Sequence, residues 1–361
     1  MIVAYVSGHG FGHATRVTEV LRGVRSLASG MRIAVVSAAP EALFRAALGA
    51  GFDFHSRPCD VGLVQRDALR IDEGATVAAW RAFAAGWERR VEDEARFLRA
   101  TGARVVLGDV PPLAFAAAAR AGVPGVALAN FSWDWIYRHL GRREPALREA
   151  ADACAAAYAE AERLLRLPFA GDLSAFRRIE DVGFVARRPG VTRDEARRRL
   201  GLDADARPVA LLSFGGFGLP GFEARALGPL DAYRFVLSSA AGDLPPHVRV
   251  VDAACLGAAG LGYVDLVAAA DVVVTKPGYG IVTDALGAGA RLVYTPRGDF
   301  PEYDVMVAEL PRVLACAPLS NEDLLAGRLA PALEDVLARP QPPPPDLDGA
   351  ARAARRLLER L

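Results

Sequence analysis

Short apolar runs alternate with helix-length segments along the chain, and this alternation is the feature that most restricts the fold. In the first half, the predicted strands are the short, mostly apolar runs at 2–6, 32–37, 105–108, 126–129, 164–167 and 182–185. Segments between them, such as 76–101, carry apolar residues at helical spacing. Strands that alternate with helices predict a parallel sheet with helices on both faces. The predicted fold class is therefore α/β.

A second series of strands and helices follows a polar, arginine-rich segment at 187–208. We predict that this segment is a linker between two doubly wound, Rossmann-like domains, at 1–186 and 209–338, which face each other across a cleft. Prolines break the tail, and a last helix within 339–361 is predicted to pack back on the first domain. The predicted strands of the second domain are 209–213, 233–237, 248–251, 272–275 and 291–294.

Composition excludes several classes of function. The 43 Lys and Arg residues balance 43 Asp and Glu residues, so there is no electrostatic reason to expect a nucleic acid or an anionic membrane as partner. No apolar run reaches the roughly 18–20 residues that a membrane span needs, and we expect no signal peptide. The four cysteines have no metal-ligand spacing and indicate a reducing compartment, so we expect a cytoplasmic protein of undetermined oligomeric state.

The first predicted strand ends in a glycine-rich turn, SGHGFGHATR, at 7–16. Glycines such as Gly12 permit a tight bend and a close approach to a ligand. The helix that follows offers free N–H groups that suit a phosphate or a carboxylate, and Arg16 at its start is placed to contact phosphate. His13 is predicted to lie at the rim of this turn and to point toward whatever binds there, and His9 lies within the turn. A plain strand-to-helix turn with incidental histidines stays open as an alternative.

Two segments of the second half are predicted to form the other wall of the cleft. The run LLSFGGFG at 211–218 is a strand that leads into a glycine-rich turn, whose N–H groups suit a diphosphate. The segment 271–306 holds another strand, turn and helix, with Asp284 one turn inside the helix, where it can accept hydrogen bonds from a vicinal diol. Arg297 and Glu302 follow on a loop and suit sugar hydroxyls. The alternatives are a flexible turn at 215–218, a solvated Asp284 and a surface charge at Lys276.

The run NFSWDWIY at 130–137 follows a predicted strand. Its Trp133 and Trp135 offer aromatic faces of the kind that stack on sugars and apolar acceptors. We therefore predict that Trp133, Asp134 and Trp135 contact the acceptor from the first domain, with Asp134 as a further candidate base. The alternative is that the tryptophans pack beneath the loop as core.

Together, these motifs resemble the GT-B glycosyltransferases, which include the peptidoglycan N-acetylglucosaminyltransferases and the plant UDP-glycosyltransferases. The resemblance rests on SGHGFGH, SFGGFG and KPGYGIVTDALGAG. With DVPPLAFAAAARAGVPGVALANFSWDWIY at 109–137, the motifs are most similar to the glycosyltransferase-like N-terminal region of plant L-arabinokinases. The resemblance spans nearly the whole chain.

The resemblance implies transfer of a hexosyl, pentosyl or N-acetylhexosaminyl group from a nucleotide diphosphate donor, expected to be a UDP-sugar. The acceptor would be a hydroxyl of a small molecule, lipid or glycan. His13 would be the preferred base of an inverting reaction, with His9 as the second candidate, and Asp109 would be the carboxylate that orients His13. The loop at 297–302 departs from the family's Asp-Gln pattern, so the donor sugar stays unspecified. Donor contacts are expected from Gly12, Gly215, Gly216, Phe217, Lys276, Gly278, Tyr279, Gly280, Asp284, Arg297 and Glu302.

No cofactor is expected beyond the nucleotide-sugar co-substrate. No metal is expected either, because helix N-termini can hold the diphosphate and no DxD-like pair stands where a metal–diphosphate site would form.

Two other functions fit the same fold. One is a nucleotide-sugar epimerase or hydrolase, and the other is a non-catalytic module that binds a nucleotide sugar.

Overall fold

The protein is described here by a computed structural model that covers residues 1–65, 71–215, 219, 221–239 and 242–361. The first domain is built on a parallel sheet. Its strands are β1 (Ile2–Val6), β2 (Ile33–Ser37), β3 (Asp53–Ser56), β4 (Val105–Asp109), β5 (Gly125–Ala129), β6 (Arg163–Arg166) and β7 (Ile179–Asp181). Within the covered residues they lie in the order β3-β2-β1-β4-β5-β6-β7.

Helices flank this sheet, as the alternation predicts. They are α1 (Phe11–Leu27), α2 (Glu41–Leu48), α3 (Glu73–Ala84), α4 (Trp87–Thr101), α5 (Pro112–Ala121), α6 (Trp133–Leu140) and α7 (Leu147–Tyr158). The segment between the two domains carries α8 (Arg193–Leu200), which begins at the N-cap Thr192, whose side chain accepts from the Glu195 N–H.

The second domain has its own parallel sheet. Its strands are β8 (Val209–Leu212), β9 (Arg234–Leu237), β10 (Val248–Val250), β11 (Val272–Thr275), β12 (Arg291–Tyr294) and β13 (Cys316–Pro318). Over the described part of the chain their order is β10-β9-β8-β11-β12-β13. The helices are α9 (Ala253–Ala258), α10 (Tyr263–Ala269), α11 (Tyr279–Ala288), α12 (Pro301–Val313), α13 (Asn321–Leu325), α14 (Ala330–Ala338) and α15 (Gly349–Leu358), with a 3₁₀ turn at Ala224–Leu227.

The central strands are buried on both faces, which explains their continuous apolar sequences. Every residue of β1, β2, β4 and β5 is buried, as is usual for parallel strands covered by helices. The edge strand β3 has the sequence DFHS and is partly exposed. Its polar residues give no apolar run, so the sequence did not predict it.

Two predicted elements differ from the structure. The helical segment predicted at 76–101 consists of two helices, α3 and α4, which are separated at Ala85 and Gly86. A glycine inside a helical pattern weakens the helix, and here the chain breaks at it. The strand predicted at 182–185 lies instead at β7, and Val185 forms an isolated antiparallel bridge with Asp348.

The two domains meet through helices that start at the cleft. The N-terminal turns of α1 and α11 pack against each other, and α15 returns to lie on α1, where Ala354 packs against Gly23. None of the helices in the described ranges is both long and apolar enough to span a bilayer.

Candidate active site

The glycine-rich turn after β1 places His13 in the first turn of α1. The N-cap residue, Gly10, has φ 98°, a left-handed conformation that favours glycine. Among the described residues, no side chain caps this helix and no acidic residue occupies its first turn. The free N–H groups therefore leave a partial positive charge at the edge of the cleft.

His13 is paired with Asp109. The strands β1 and β4 are parallel neighbours with Val6 opposite Asp109, so the carboxylate lies beside the turn that carries the histidine. His13 Nδ1 is 3.0 Å from Asp109 Oδ1, and the two residues are 6% and 0% exposed. Burial by itself would raise the pKa of Asp109, but the charges of Arg16 and His13 outweigh burial and hold that pKa below its ordinary value.

The pairing sets the tautomer of the imidazole. An ionised carboxylate only accepts hydrogen bonds, so His13 Nδ1 carries the proton. The other ring nitrogen, Nε2, is then an acceptor. A neutral imidazole held in this way is suited to take a proton from a hydroxyl group.

The sequence predicts that Arg16 contacts a phosphate. In the structure its side chain points into the protein instead, and the residue is only 4% exposed. Its Nε donates to Asp109 Oδ2 at 2.6 Å and its Nη2 to Asp109 Oδ1 at 2.5 Å. Its Nη1 donates to Asn130 Oδ1 at 2.7 Å. Arg16 follows His13 by three residues, so both side chains leave the same face of α1 and reach the same carboxylate.

Asn130 links this cluster to the second domain. Its Nδ2 donates to Glu302 Oε1 at 2.8 Å, and Arg297 Nη1 donates to Glu302 Oε2 at 2.9 Å. Glu302 lies in the first turn of α12, where the partial positive charge of the helix end favours a carboxylate. Beside this contact, Phe300 packs 6.4 Å from Phe131, measured between ring centroids. The two residues predicted to hold donor hydroxyls, Arg297 and Glu302, are therefore paired with each other.

The second candidate base, His9, has a different environment. The Leu63 N–H donates to His9 Nδ1 at 3.4 Å, so the ring proton of a neutral His9 resides on Nε2. Burial, followed by the charges of His13, Arg297 and Lys276, lowers the pKa of His9 to about 3. His9 is thus a neutral hydrogen-bond donor at Nε2, which favours His13 over His9 as the base.

The structure buries Trp133 in the core rather than in an exposed loop. Its ring is 1% exposed and stacks on Tyr137 at 5.9 Å between centroids. Its Nε1 donates to Asp60 Oδ2 at 2.9 Å. For Trp133 the structure therefore matches the alternative in which the tryptophans pack as core and do not contact the acceptor. The reason is that Trp133 is the first residue of α6 and faces inward.

The other two predicted acceptor residues lie nearby. Trp135 is partly exposed and its ring covers Gly171, where an added Cβ would lie only 2.2 Å from the ring. Asp134 is buried, and its Oδ1 has no hydrogen-bond partner among the described residues. Burial raises the pKa of Asp134. Of the three residues, Trp135 is the one with an aromatic surface available to a ligand.

The N-terminus of α11 forms the opposite side of the cleft. Gly278 is its N-cap residue, and no side chain of the described residues caps it. An added Cβ on Gly280 would meet Gly12 Cα at 3.4 Å, so the two glycines allow the two helix ends to approach closely. Tyr279 differs from its predicted donor role, because its ring is buried and its hydroxyl accepts from the Val185 N–H at 3.1 Å.

Asp284 is paired with the linker. Arg187 Nε donates to Oδ1 at 2.9 Å and Nη2 to Oδ2 at 2.5 Å. Asp284 is 3% exposed, which excludes the solvated alternative. Burial raises the pKa of Asp284 against the opposing charge of Arg187. Both oxygens predicted to bind a ribose are engaged by Arg187 in this conformation.

The remaining predicted donor residues are Gly215, Gly216, Phe217 and Lys276. Gly215 is exposed with φ 73°, while Gly216 and Phe217 lie outside the described residues. Lys276 directly follows β11 and is partly exposed.

In the ranges that the structure covers, no group of three or more His, Cys, Asp or Glu side chains is arranged to hold a metal ion.

Sequence reasoning missed Asp60, Asn130 and Arg187. Asn130 directly follows β5, just as Asp109 ends β4, so the rule that ligands lie at the carboxyl ends of parallel strands could have found it. Asp60 and Arg187 have no comparable signal, because they reach the site from a loop and from the linker.

Known structures define the class of this fold. The chain superimposes on the kitacinnamycin glycosyltransferase with a TM-score of 0.61 at 20% identity, covering 98% of this chain and 94% of that one. It superimposes on UGT89C1 of Arabidopsis thaliana in complex with UDP with a TM-score of 0.61 at 15% identity, covering 99% and 94%. The predicted GT-B fold is thereby confirmed, and the chain has two facing Rossmann-like domains.

A more specific similarity is found among characterised sequences. The chain is 32% identical over 340 residues to L-arabinokinase of Arabidopsis thaliana, which covers 92% of this chain and 32% of that protein. The chain thus spans about a third of the length of this relative. The predicted link to plant L-arabinokinases is supported by this match. No family model matches the chain.

Proposed function

We propose that the protein transfers a sugar from a nucleoside diphosphate donor, expected to be a UDP-sugar, to a hydroxyl acceptor. One observation carries this proposal. The buried pair of His13 and Asp109 stands where the uncapped N-termini of α1 and α11 meet. This arrangement combines a proton acceptor with two helix ends suited to a diphosphate. UGT89C1, which shares the fold, has been solved with UDP and with quercetin.

In the proposed reaction, His13 Nε2 accepts the proton of the acceptor hydroxyl as its oxygen bonds to the anomeric carbon. The bond from that carbon to the diphosphate oxygen breaks, and the nucleoside diphosphate leaves with the electron pair. Attack from the face opposite the leaving group inverts the anomeric centre. Asp109 stabilises the imidazolium that forms, and a general base of this kind contributes about 10²–10⁴ to the rate.

The donor contacts follow from the second wall. N–H groups at the start of α11, with Lys276 and Arg297, would offset the charge of the diphosphate. Arg297 and Glu302 would bind the transferred sugar, and Asp284 the ribose. Because Arg187 and Asn130 engage these carboxylates here, donor binding would require an exchange or sharing of partners. Trp135 would contact the acceptor.

The test begins with thermal unfolding of the purified protein in the presence of UDP, dTDP, GDP, ADP or CMP. A ligand at 100 times its dissociation constant adds about 2.7 kcal/mol of stability. The nucleotide that stabilises the protein selects the nucleotide sugars, which are then assayed with sugar, phenol and lipid acceptors. We expect a glycoside product whose anomeric configuration is opposite to that of the donor.

Other outcomes would replace the proposal. An epimer of the donor, or free sugar released at the same rate with and without acceptor, would indicate an epimerase or hydrolase. Stabilisation by a nucleotide without turnover of any nucleotide sugar would indicate a binding module. Absence of stabilisation by all five nucleotides would contradict the donor site.

A further inference from the structure

Arg16 is a buried cation of the cleft whose guanidinium is held by several partners. Its guanidinium makes three hydrogen bonds, two to the oxygens of Asp109 and one to Asn130. Its Nη2 also lies 3.2 Å from His13 Nδ1. A buried arginine that binds both oxygens of one carboxylate fixes the position and the plane of that carboxylate.

We propose that Arg16 is a positioning residue for the base. It clamps Asp109 in the orientation that holds the proton on His13 Nδ1, and it balances the charge of Asp109 so that the imidazole stays free to accept a proton at Nε2. The inference rests on the proposed function, since it concerns the base of that reaction. Arg16 acts through Asp109 and touches no donor atom in this assignment.

The orientation of Arg16 is itself determined by its neighbours. The Asn130 amide accepts from Arg16 through its oxygen and donates to Glu302 through its nitrogen, so the amide cannot rotate without losing one of these bonds. His13, Asp109, Arg16, Asn130 and Glu302 thus form a continuous buried chain of hydrogen bonds from the base to the second domain. The Arg16 guanidinium also lies 5.3 Å from the centre of the Tyr279 ring, which adds a cation–π contact.

Other ionisable groups also face His13. His9 lies in the same turn, and its pKa is lowered by burial and by the charge of His13. Asp60 faces it from the loop after β3, and its pKa is raised mainly by burial. These two groups have protein partners of their own, Leu63 for His9 and Trp133 for Asp60. Arg16 is the group that binds Asp109 directly, so its loss should change the dyad most.

The experiment compares Arg16→Gln and Arg16→Lys with Arg22→Gln. Arg22 lies on the same helix, is exposed and pairs with Glu19, so Arg22→Gln is a control that removes the same charge. Two readouts are used: the low-field proton signal of His13 Nδ1–H in NMR spectra of the free protein, and the pH profile of kcat/KM for sugar transfer. The NMR signal does not depend on turnover.

In Arg16→Gln, the unbalanced carboxylate of Asp109 favours the imidazolium form. We therefore expect the low-field signal to be displaced or lost and the acidic limb of the kcat/KM profile to move to higher pH by about one unit. In Arg16→Lys, the positive charge is kept, but the paired hydrogen bonds to both oxygens of Asp109 are lost. We therefore expect the acidic limb of the kcat/KM profile to stay at its wild-type pH while kcat falls about tenfold. KM for the donor stays unchanged in both variants, and Arg22→Gln matches the wild type in every readout.

A folded Arg16→Gln protein with the wild-type signal and the wild-type pH profile would overturn the proposal. If Arg16→Gln does not fold, Arg16→Lys decides, because wild-type kcat in that variant would also overturn it. If the wild-type protein transfers no sugar, the proposed function fails, while the NMR signal in the variants still decides whether Arg16 positions His13.

Discussion

The two walls of the cleft start from the same structural unit but organise their charged groups differently. In each, a buried strand turns through glycines into a helix whose N-terminus faces the other domain. On the first wall, His13, Arg16 and Asp109 all come from one domain and satisfy one another. On the second wall, each carboxylate has a partner from outside the domain: Arg187 of the linker for Asp284, and Asn130 of the first domain for Glu302, which also pairs with Arg297 of its own wall.

This difference shows which part of the site depends on domain closure. The proposed base, His13, and its carboxylate would keep their hydrogen bonds if the domains separated, because none of these bonds crosses the cleft. The bond from Asn130 to Glu302 does cross it and would be lost on opening. Under the proposed function, the geometry corresponds to a preassembled base on one side and, on the other, proposed donor-binding groups whose partners would change during the cycle.

The strongest test of this contrast is His13→Ala. If the first wall carries the chemistry, turnover falls by about 10²–10⁴, while stabilisation by the preferred nucleotide stays within experimental error, since the second wall is intact. Transfer rates and nucleotide-dependent thermal unfolding measure the two effects separately. His55→Ala removes a histidine far from the cleft motifs and should behave as the wild type. Unchanged turnover in His13→Ala would remove this residue from the mechanism.

The next test compares the two tryptophans of α6. Trp133→Ala should lower the free energy of unfolding by about 3–5 kcal/mol, because it leaves a large cavity and removes one of the hydrogen bonds to the buried Asp60. Trp135→Ala should cost only about 1–2 kcal/mol and raise KM for the acceptor about tenfold. Urea denaturation and steady-state kinetics provide the measurements. Equal stability losses, with no change in KM for Trp135→Ala, would contradict the assignment of Trp135 to the acceptor.

Asp109→Asn tests how strongly the first wall depends on its ion pair. The variant leaves Arg16 buried without a full counter-charge, so we expect a loss of roughly 3 kcal/mol in the free energy of unfolding at neutral pH. Asp93→Asn is the matched control, because Asp93 forms exposed pairs on α4 and should change stability by less than about 0.5 kcal/mol. Similar losses in the two variants would show that burial of the Asp109 pair adds no stability.

The smallest expected effect is the pH dependence of stability, which should have opposite signs on the two walls. The pKa of Asp109 is lowered from 3.8 in the folded protein. Its contribution to the free energy of unfolding is therefore complete above pH 3.8 and is lost as the pH falls through the folded-state pKa. The pKa of Asp284 is raised from 3.8 in the folded protein. Its contribution to the free energy of unfolding is therefore greatest below pH 3.8 and is lost as the pH rises through the folded-state pKa.

Urea denaturation between about pH 3 and 6 can separate these contributions. Relative to Asp109→Asn, the wild type should lose stability as the pH falls in the acidic part of this range. Relative to Asp284→Asn, the wild type should lose stability as the pH rises. The same sign in both comparisons would mean that the two carboxylates have similar environments, and the contrast between the walls would not hold.

Much of the architecture could be predicted from local sequence patterns. The buried strands β1, β4 and β11 have continuous apolar sequences, and each leads into a turn that starts a helix, so the α/β class followed directly. The motifs also indicated which turns face the cleft. The pairing of His13 with Asp109 was expected from the family resemblance alone. The structure adds that β1 and β4 are parallel neighbours, with Val6 opposite Asp109.

The sequence alone thus indicated the α/β class, most of the buried strands and the position of the cleft, since these depend on local periodicity and on strand ends, and the family resemblance supplied the candidate base. Only the tertiary structure decided the partners of the charged groups. Three features illustrate this: Arg16 points inward, Arg187 binds Asp284, and Trp133 joins the core. Each depends on a contact between residues far apart in the chain, by up to 97 positions. The direction of a side chain at a helix start is set by what packs against it, and that information is absent from local spacing.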